Sequence, residues 1–266
     1  MKIFVFTKKN ISILNFIIVF IILIFMIYIV IQNNNVFAVE LNYNVIISDE
    51  FKNRIENLTS QKEKIAYLTF DDGPNKIVTQ KVLDILKKEE VKATFFVIGK
   101  HVEEYPEIIK REYEEGHYIA NHGYSHNNKL LYQSEEKFIE EVKKTDEAIG
   151  KAIDKYDYCS YIFRFPNGYK SKKNKREKER AADLLTEMNY SYVDWNCLNN
   201  DSMKKYNNKQ LLDNLKKSAK GKDTLVILMH DTKDVSNSSL VLEDSIKYLK
   251  EQGYSFQNFY DLMKNP

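Results

Sequence analysis

The chain reads as a parallel α/β domain, either a small barrel or an open sheet, and three observations predict it. Short apolar runs recur from Ile65 onward. The segments between them space their apolar residues three and four apart, as amphipathic helices do. The residues best suited to chemistry fall just after the apolar runs, at the strand ends where α/β folds gather their sites.

The strands expected are Ile65–Phe70, Ala93–Ile98, Tyr118–Ala120, Tyr161–Phe165, Ser191–Trp195, Thr224–Met229 and a shorter run Tyr254–Phe259. Helices are expected between them. In "KIVTQKVLDILKKEE", Val78, Val82, Ile85 and Leu86 share one face. The same spacing runs through "YPEIIKREYEEG", "SEEKFIEEVKKTDEAIGKAI", "KERAADLLTEMN", "NKQLLDNLKKSAKG" and "LVLEDSIKYLKEQG". Gly116, Gly221 and Gly253 stand where helices should stop. There is no internal repeat and no second domain.

The first part of the chain is of another kind. Ile11 to Ile31 is an apolar run broken by Ser12 and Asn15, long enough to cross a bilayer. Lys2, Lys8 and Lys9 precede it and nothing basic follows closely, which places the N-terminus inside. Residues 1–38 are therefore expected to anchor the protein in the cell membrane, single-pass, with the rest outside. The alternative is a secretory signal cleaved after Ala38, since "VFA" suits a small-residue cleavage site. Residues 39–61 read as a stem and 62–262 as the folded domain.

Of the 266 residues, 40 are basic and 38 acidic, and beyond residue 40 the two are equal in number. Nucleic acid is not an expected partner, because such proteins carry a basic footprint. The densest basic run, "KSKKNKREKER" from Lys170 to Arg180, reads as a solvated helix face or as a docking surface for anionic polymers. Export permits a disulfide, but Cys159 and Cys197 alone are no framework. A monomer is expected.

Asp71 and Asp72 end the first apolar run in "TFDDGP". Adjacent carboxylates repel and nothing in a surface turn requires both, although Asp, Gly and Pro all favour turns and "DDGP" taken alone also reads as a turn. His122 and His126, four apart in "NHGYSH", can aim two imidazoles at one point. Two histidines and a carboxylate make a catalytic zinc set, and the same set suits Fe(II) and other divalent ions. A cation held by one aspartate relieves the repulsion and leaves the other free as a base. Adjacent residues of an extended strand point to opposite sides, so the two should differ in their partners.

The ordered set "TFDDGP", "HGYSH", "RFPNG", "DWNCLNND" and "LMHD" resembles the five motifs of the polysaccharide deacetylase family (NodB-like, carbohydrate esterase family 4) over roughly residues 62–262. The resemblance implies a distorted (β/α) barrel of the NodB-homology type, shorter than the eight-stranded kind. It implies Asp71 as general base and Asp72, His122 and His126 as ligands of one divalent metal, zinc first, with cobalt, iron, nickel or manganese as alternatives. Arg164 would orient the base, His230 would act as general acid, and Asp201 would hold that histidine. The backbone N–H of Asn167 would serve an oxyanion. The motifs depart from the family pattern at Gly123, where Ser or Thr is common, at Asn167, often aromatic, and at Ser202, often Trp. Trp195 would line the groove or belong to the core. The activity implied is metal-dependent removal of N-acetyl groups from cell-wall glycan, with peptidoglycan N-acetylglucosamine the leading substrate and lysozyme resistance the outcome. Muramic acid, another glycan, O-acetyl esters or an inactive glycan-binding module are the alternatives.

Overall fold

The structure, a computed structural model, describes residues 50–202, 206–232 and 237–264. The apolar run Ile11–Ile31 and the junction at Ala38 lie outside these residues. Among the described residues no helix is long and apolar enough to cross a membrane.

Eight strands and their helices alternate along the chain. They are β1 (Ile65–Asp71), α2 (Val78–Lys88), β2 (Thr94–Val97), α3 (Gly99–Glu104), α4 (Pro106–Glu114), β3 (Tyr118–Asn121), α5 (Asn128–Leu131), α6 (Glu135–Ala152), β4 (Ile162–Phe163), α7 (Lys175–Glu187), β5 (Ser191–Tyr192), β6 (Cys197–Leu198), α8 (Asn208–Ala219), β7 (Thr224–His230), α9 (Asn237–Glu251), β8 (Ser255–Gln257) and α10 (Phe259–Lys264). A further helix, α1 (50–56), precedes them. The sheet order is β5-β4-β3-β2-β1-β7-β6, with β8 beside β1, and every pairing is parallel. Among the described residues no pairing joins β5 to β6, so the sheet is a half-barrel.

β1 is buried along its whole length, and its two faces serve different purposes. Ala66, Leu68 and Phe70 join Phe95, Val97 and Ile119 under apolar residues of α2, α6 and α9, forming the main core. Tyr67, Thr69 and Asp71 alternate to the other side. Tyr67 meets Phe259 at 5.7 Å between ring centroids, and Phe96 and Tyr118 meet the same ring at 6.1 and 6.0 Å. Phe259, the first residue of α10, therefore packs inside the sheet curve below the chemistry-bearing residues. A second cluster, with Phe138, Phe163, Phe165 and Leu185, fills the space between β4 and helices α6 and α7. Ser134 caps α6 by accepting from Lys137 N, and Asn207 with Gln210 forms a capping box at α8.

Four expectations change. The fourth strand is only Ile162–Phe163, because Tyr161 has φ 53° and breaks the extended run. The fifth ends at Tyr192, because the carbonyls of Val193 and Asp194 turn to accept from the Arg164 side chain. The chain then crosses to β6, a strand hidden inside "DWNCLNND", which pairs with β7 through Cys197 and Leu198. The seventh run yields the three-residue β8 before α10 begins. Residues 50–60, read as part of a stem, are largely helical, with Phe51, Ile55 and Leu58 buried. Both cysteines are free thiols.

Candidate active site

Asp71 and His230 are register partners at the C-terminal ends of the adjacent strands β1 and β7. Asp71 is buried, and its Oδ1 accepts from Arg164 Nη1 at 2.8 Å. Arg164 is fully buried. The same Nη1 donates to Thr69 Oγ1 at 2.7 Å, Nε donates to Val193 O at 3.1 Å, and the guanidinium lies 3.9 Å above the Phe96 ring. The two-pronged Arg–carboxylate clasp that a guanidinium permits is not the arrangement found: one nitrogen bridges Asp71 and Thr69.

Asp72, His122 and His126 come together at the mouth, each offering one ligand atom, all within 4.8 Å of one another. The expectation that Asp71 and Asp72 face opposite sides needs a correction. The strand ends at Asp71, and Asp72 has φ 75°, so its carboxylate swings back over the same opening. His122 Nε2 lies 3.8 Å from Asp71 Oδ2 and 3.4 Å from Asp72 Oδ1. His126 Nε2 lies 3.3 Å from Asp72 Oδ1. The two aspartates still differ in partners: Asp71 has the arginine and Asp72 the histidine pair.

These residues fit a divalent cation. His122 Nδ1 donates to Arg164 O at 2.8 Å, which leaves Nε2 with its lone pair facing the carboxylates. Asp72 Oδ1 is buried and has no hydrogen-bond partner. Lone pairs thus converge on a shared space, and only a positive centre satisfies them. Burial raises the Asp72 carboxyl pKa, but contact with His122 and the charges of His126 and His230 outweigh it and hold the group well below the usual carboxylate range. Burial lowers the proton affinity of His122, yet the Asp71 and Asp72 carboxylates raise it overall. The field that draws a proton there also draws a metal ion.

On the opposite side, His230 Nδ1 donates to Asp201 Oδ1 at 2.8 Å, and Asp201 Oδ2 accepts from the backbone N of His230 at 2.9 Å. One carboxylate thus fixes ring and backbone together. Burial disfavours the charged imidazole, but the Asp201 hydrogen bond and charge, with Asp71 and Asp72 beyond, push its pKa up to about 9.

Three supporting residues escaped the sequence reading. Glu141, on α6, accepts from Tyr124 N, Ser125 N and Ser125 Oγ, and so pins the loop that carries His126. Asn121 accepts from Gly123 N and donates to Asp146, setting the start of that loop. Asp231 is fully buried, accepts from Thr79 Oγ1 at 2.6 Å, and its burial pushes it up to about 7. Its carboxylate lies against Gly73, where a Cβ would stand 2.3 Å from Oδ2, so this close approach requires glycine. Asp231 stood beside His230 in "LMHD" and Asn121 beside His122 in "NHGYSH", neither with a role read from the sequence; Glu141 had no local signal.

Asn167 sits on the rim with φ 67°, and its backbone N–H has no protein acceptor among the described residues. Trp195 is half-buried, packs on Gly168, and lies 5.7 Å from the Arg164 guanidinium. Ser202 is exposed. In the basic run, Lys178 is buried and donates to Gly168 O and Ser171 Oγ, so it is an internal strut and not part of a solvated face.

A parallel β/α half-barrel with an Asp/His/His cluster and an Asp–Arg and a His–Asp pair at its C-terminal rim defines the class. The sequence model for polysaccharide deacetylases matches residues 59–188. A Bacillus subtilis relative named peptidoglycan-N-acetylmuramic acid deacetylase is 34% identical over 206 residues, 77% of this chain and 74% of the relative. A Bacillus cereus peptidoglycan-N-acetylglucosamine deacetylase is 35% identical over 209 residues, 76% of this chain and 71% of that protein. The solved catalytic domain of a peptidoglycan N-acetylglucosamine deacetylase from Eubacterium rectale superposes with a TM-score of 0.67 at 32% identity, covering 73% of this chain and 88% of that one. A Streptococcus mutans carbohydrate esterase family 4 esterase gives 0.70 at 28% identity, covering 78% and 90%. The chain belongs to the polysaccharide deacetylase family.

Proposed function

We propose that this protein hydrolyses N-acetyl groups of peptidoglycan, acting on N-acetylglucosamine to release acetate and leave a free amine, and that the product wall resists lysozyme. The observation that carries the reading is the pairing of Asp71 with His230 on neighbouring strands beside a metal-ligand set. The names of the relatives support the substrate class. Asp72, His122 and His126 would hold a divalent ion, zinc first. Such an ion supplies Lewis acidity, polarising a carbonyl and lowering the pKa of water towards about 7.

The chain's own groups then divide the proton work. Asp71, oriented by its hydrogen bond from Arg164 Nη1, takes a proton from the water that adds to the acetyl carbon. The backbone N–H of Asn167 stands ready as a donor to the oxygen that gains charge. His230 Nε2–H gives its proton to the amine nitrogen as the C–N bond breaks. Asp201 keeps Nδ1–H engaged, so the donated proton comes from Nε2.

Purified full-length protein should release acetate from peptidoglycan, with muropeptides lighter by one acetyl group. Chelation should stop it, and His126→Ala should lose most of the bound metal. Equal acetate release after the metal is stripped would refute the metal assignment.

His230 must be protonated to act, so activity is present below its pKa and falls above it. The basic limb of kcat/KM therefore lies on the alkaline side of an ordinary histidine. Asp201→Asn removes the raising carboxylate and should move that limb down towards about 6.5. A limb that stays in place would remove Asp201 from this role.

Residues 1–38 are proposed to anchor the protein in the membrane with the deacetylase domain outside. The anchor keeps the protein in the membrane fraction, and protease added to wall-less cells should remove the domain. A mature N-terminus at Val39 would instead mean secretion.

A further inference from the structure

The loops after β3 and β4 face each other across an open cleft of about 840 Å³ beside His126. Asn127, Asn128 and Lys129 line one side; Asn167, Lys173 and Asn174 line the other. Asn128 Nδ2 approaches Asn174 Oδ1 at 3.5 Å, so the two loops meet at the cleft. Its lining contains no carboxylate. Both lysines are exposed, and neither has an ion-pair partner among the described residues. In the same run Lys175 pairs with Glu179, Arg180 with Glu135, and Lys178 is buried against Gly168; Lys170, Lys172 and Arg176 are also without an ion pair among the described residues but do not line the cleft. Glu177, one turn beyond Lys173, lines a separate hollow with Tyr132 and Arg180. The cleft thus holds two unpaired ammonium groups and a row of side-chain amides, in a chain whose charges beyond residue 40 balance overall.

We propose that this cleft binds a carboxylate-bearing sugar next to the N-acetyl sugar being cut, with Lys129 and Lys173 on the carboxylate and the Asn amides on the sugar's polar groups. In an alternating N-acetylglucosamine/N-acetylmuramic acid strand freed of its stem peptides, the lactyl ether of the neighbouring muramoyl residue supplies that carboxylate; where the stem peptide is attached, the same carboxyl is an uncharged amide. This inference rests on the peptidoglycan reading above. Both walls are fixed: Glu141 ties down the His126 loop, and Lys178 ties down the 168–171 turn. The backbone on both sides of the cleft is therefore held, so binding orders the two lysine side chains and not the loops, which lowers its cost.

The test compares three substrates: chitotetraose, peptide-free alternating glycan oligomers, and those oligomers with the lactyl carboxylates methyl-esterified. The Lys129→Gln/Lys173→Gln double variant should raise KM on the acid oligomers roughly three- to tenfold, the size expected of two exposed ion pairs. Its kcat, and both constants on chitotetraose, should not change. Wild-type protein on the ester should behave like the variant on the acid, and the difference should shrink in about 1 M salt, where screening reaches within about 3 Å. A KM that moves equally on all substrates, or on none, overturns the proposal. So does an ester that binds as well as the acid while soluble poly(glycerol phosphate) competes only with wild type, which would assign the cleft to a phosphate polymer. Absence of acetate from every substrate with wild-type protein would instead sink the deacetylase reading.

Discussion

Asp71→Asn should lower turnover by about 10²–10⁴-fold, the usual contribution of a positioned base, while leaving the fold and the metal content intact. The amide keeps the size of the carboxylate, and its oxygen can still accept from Arg164 Nη1, which now stands 2.8 Å away. It cannot take a proton. Asp71 is not among the three ligand residues, so the ligand set stays whole and only the more distant charge, 3.8 Å from His122 Nε2, is lost; at saturating metal the site should remain filled. Turnover measured alongside metal analysis checks this. A variant that keeps near-native turnover takes the base role away from Asp71, and one that loses its metal exchanges the roles of the two aspartates.

Arg164→Ala should be the most destabilising single change at the site. The guanidinium is fully buried and serves Asp71, Thr69 and Val193. Removing it leaves the buried Asp71 carboxylate without its counter-charge, and breaking a buried pair in this way costs about 3–5 kcal/mol. For a domain of this size each kcal/mol moves Tm by about 2–4 °C, so a fall of roughly 6–20 °C is expected. Adding Asp71→Asn to Arg164→Ala should restore part of the loss, since the uncompensated charge is then gone. Calorimetry on the two single variants and the double checks both points. A Tm within about 2 °C of wild type for Arg164→Ala would mean that water replaces the guanidinium at little cost, against the expectation for a buried pair.

How far the sequence was legible depended on whether a residue's role is local. β1 and β7 were readable because both are seven-residue, mostly apolar strands buried along almost their whole length. β6 was not, because two residues between polar neighbours carry no periodicity, and the strand exists only because β7 offers an edge. Asp72, His122 and His126 were readable from residue type and spacing. Their geometry was not, because it turns on left-handed backbone at Asp72 and His126, which composition does not signal. Glu141 looked like one more acid on a charged helix, in a segment where Phe138, Val142 and Ile149 mark the buried face. Its three hydrogen bonds to the facing loop come from tertiary packing alone. Lys178 was hidden in the same way within a run that is otherwise largely exposed.

Arg164 touches both halves of the site by different parts of the same residue. Its side chain holds Asp71, and its carbonyl oxygen holds His122. The distance from base to metal ligand is therefore referenced to a single peptide unit. A displacement of β4 carries both groups together, and their separation is insulated from movements that alter the substrate groove around them. Loops on either side of the groove can then drift, lengthen or change charge over generations, retuning which glycan enters, while the spacing at which the bond is broken stays constant.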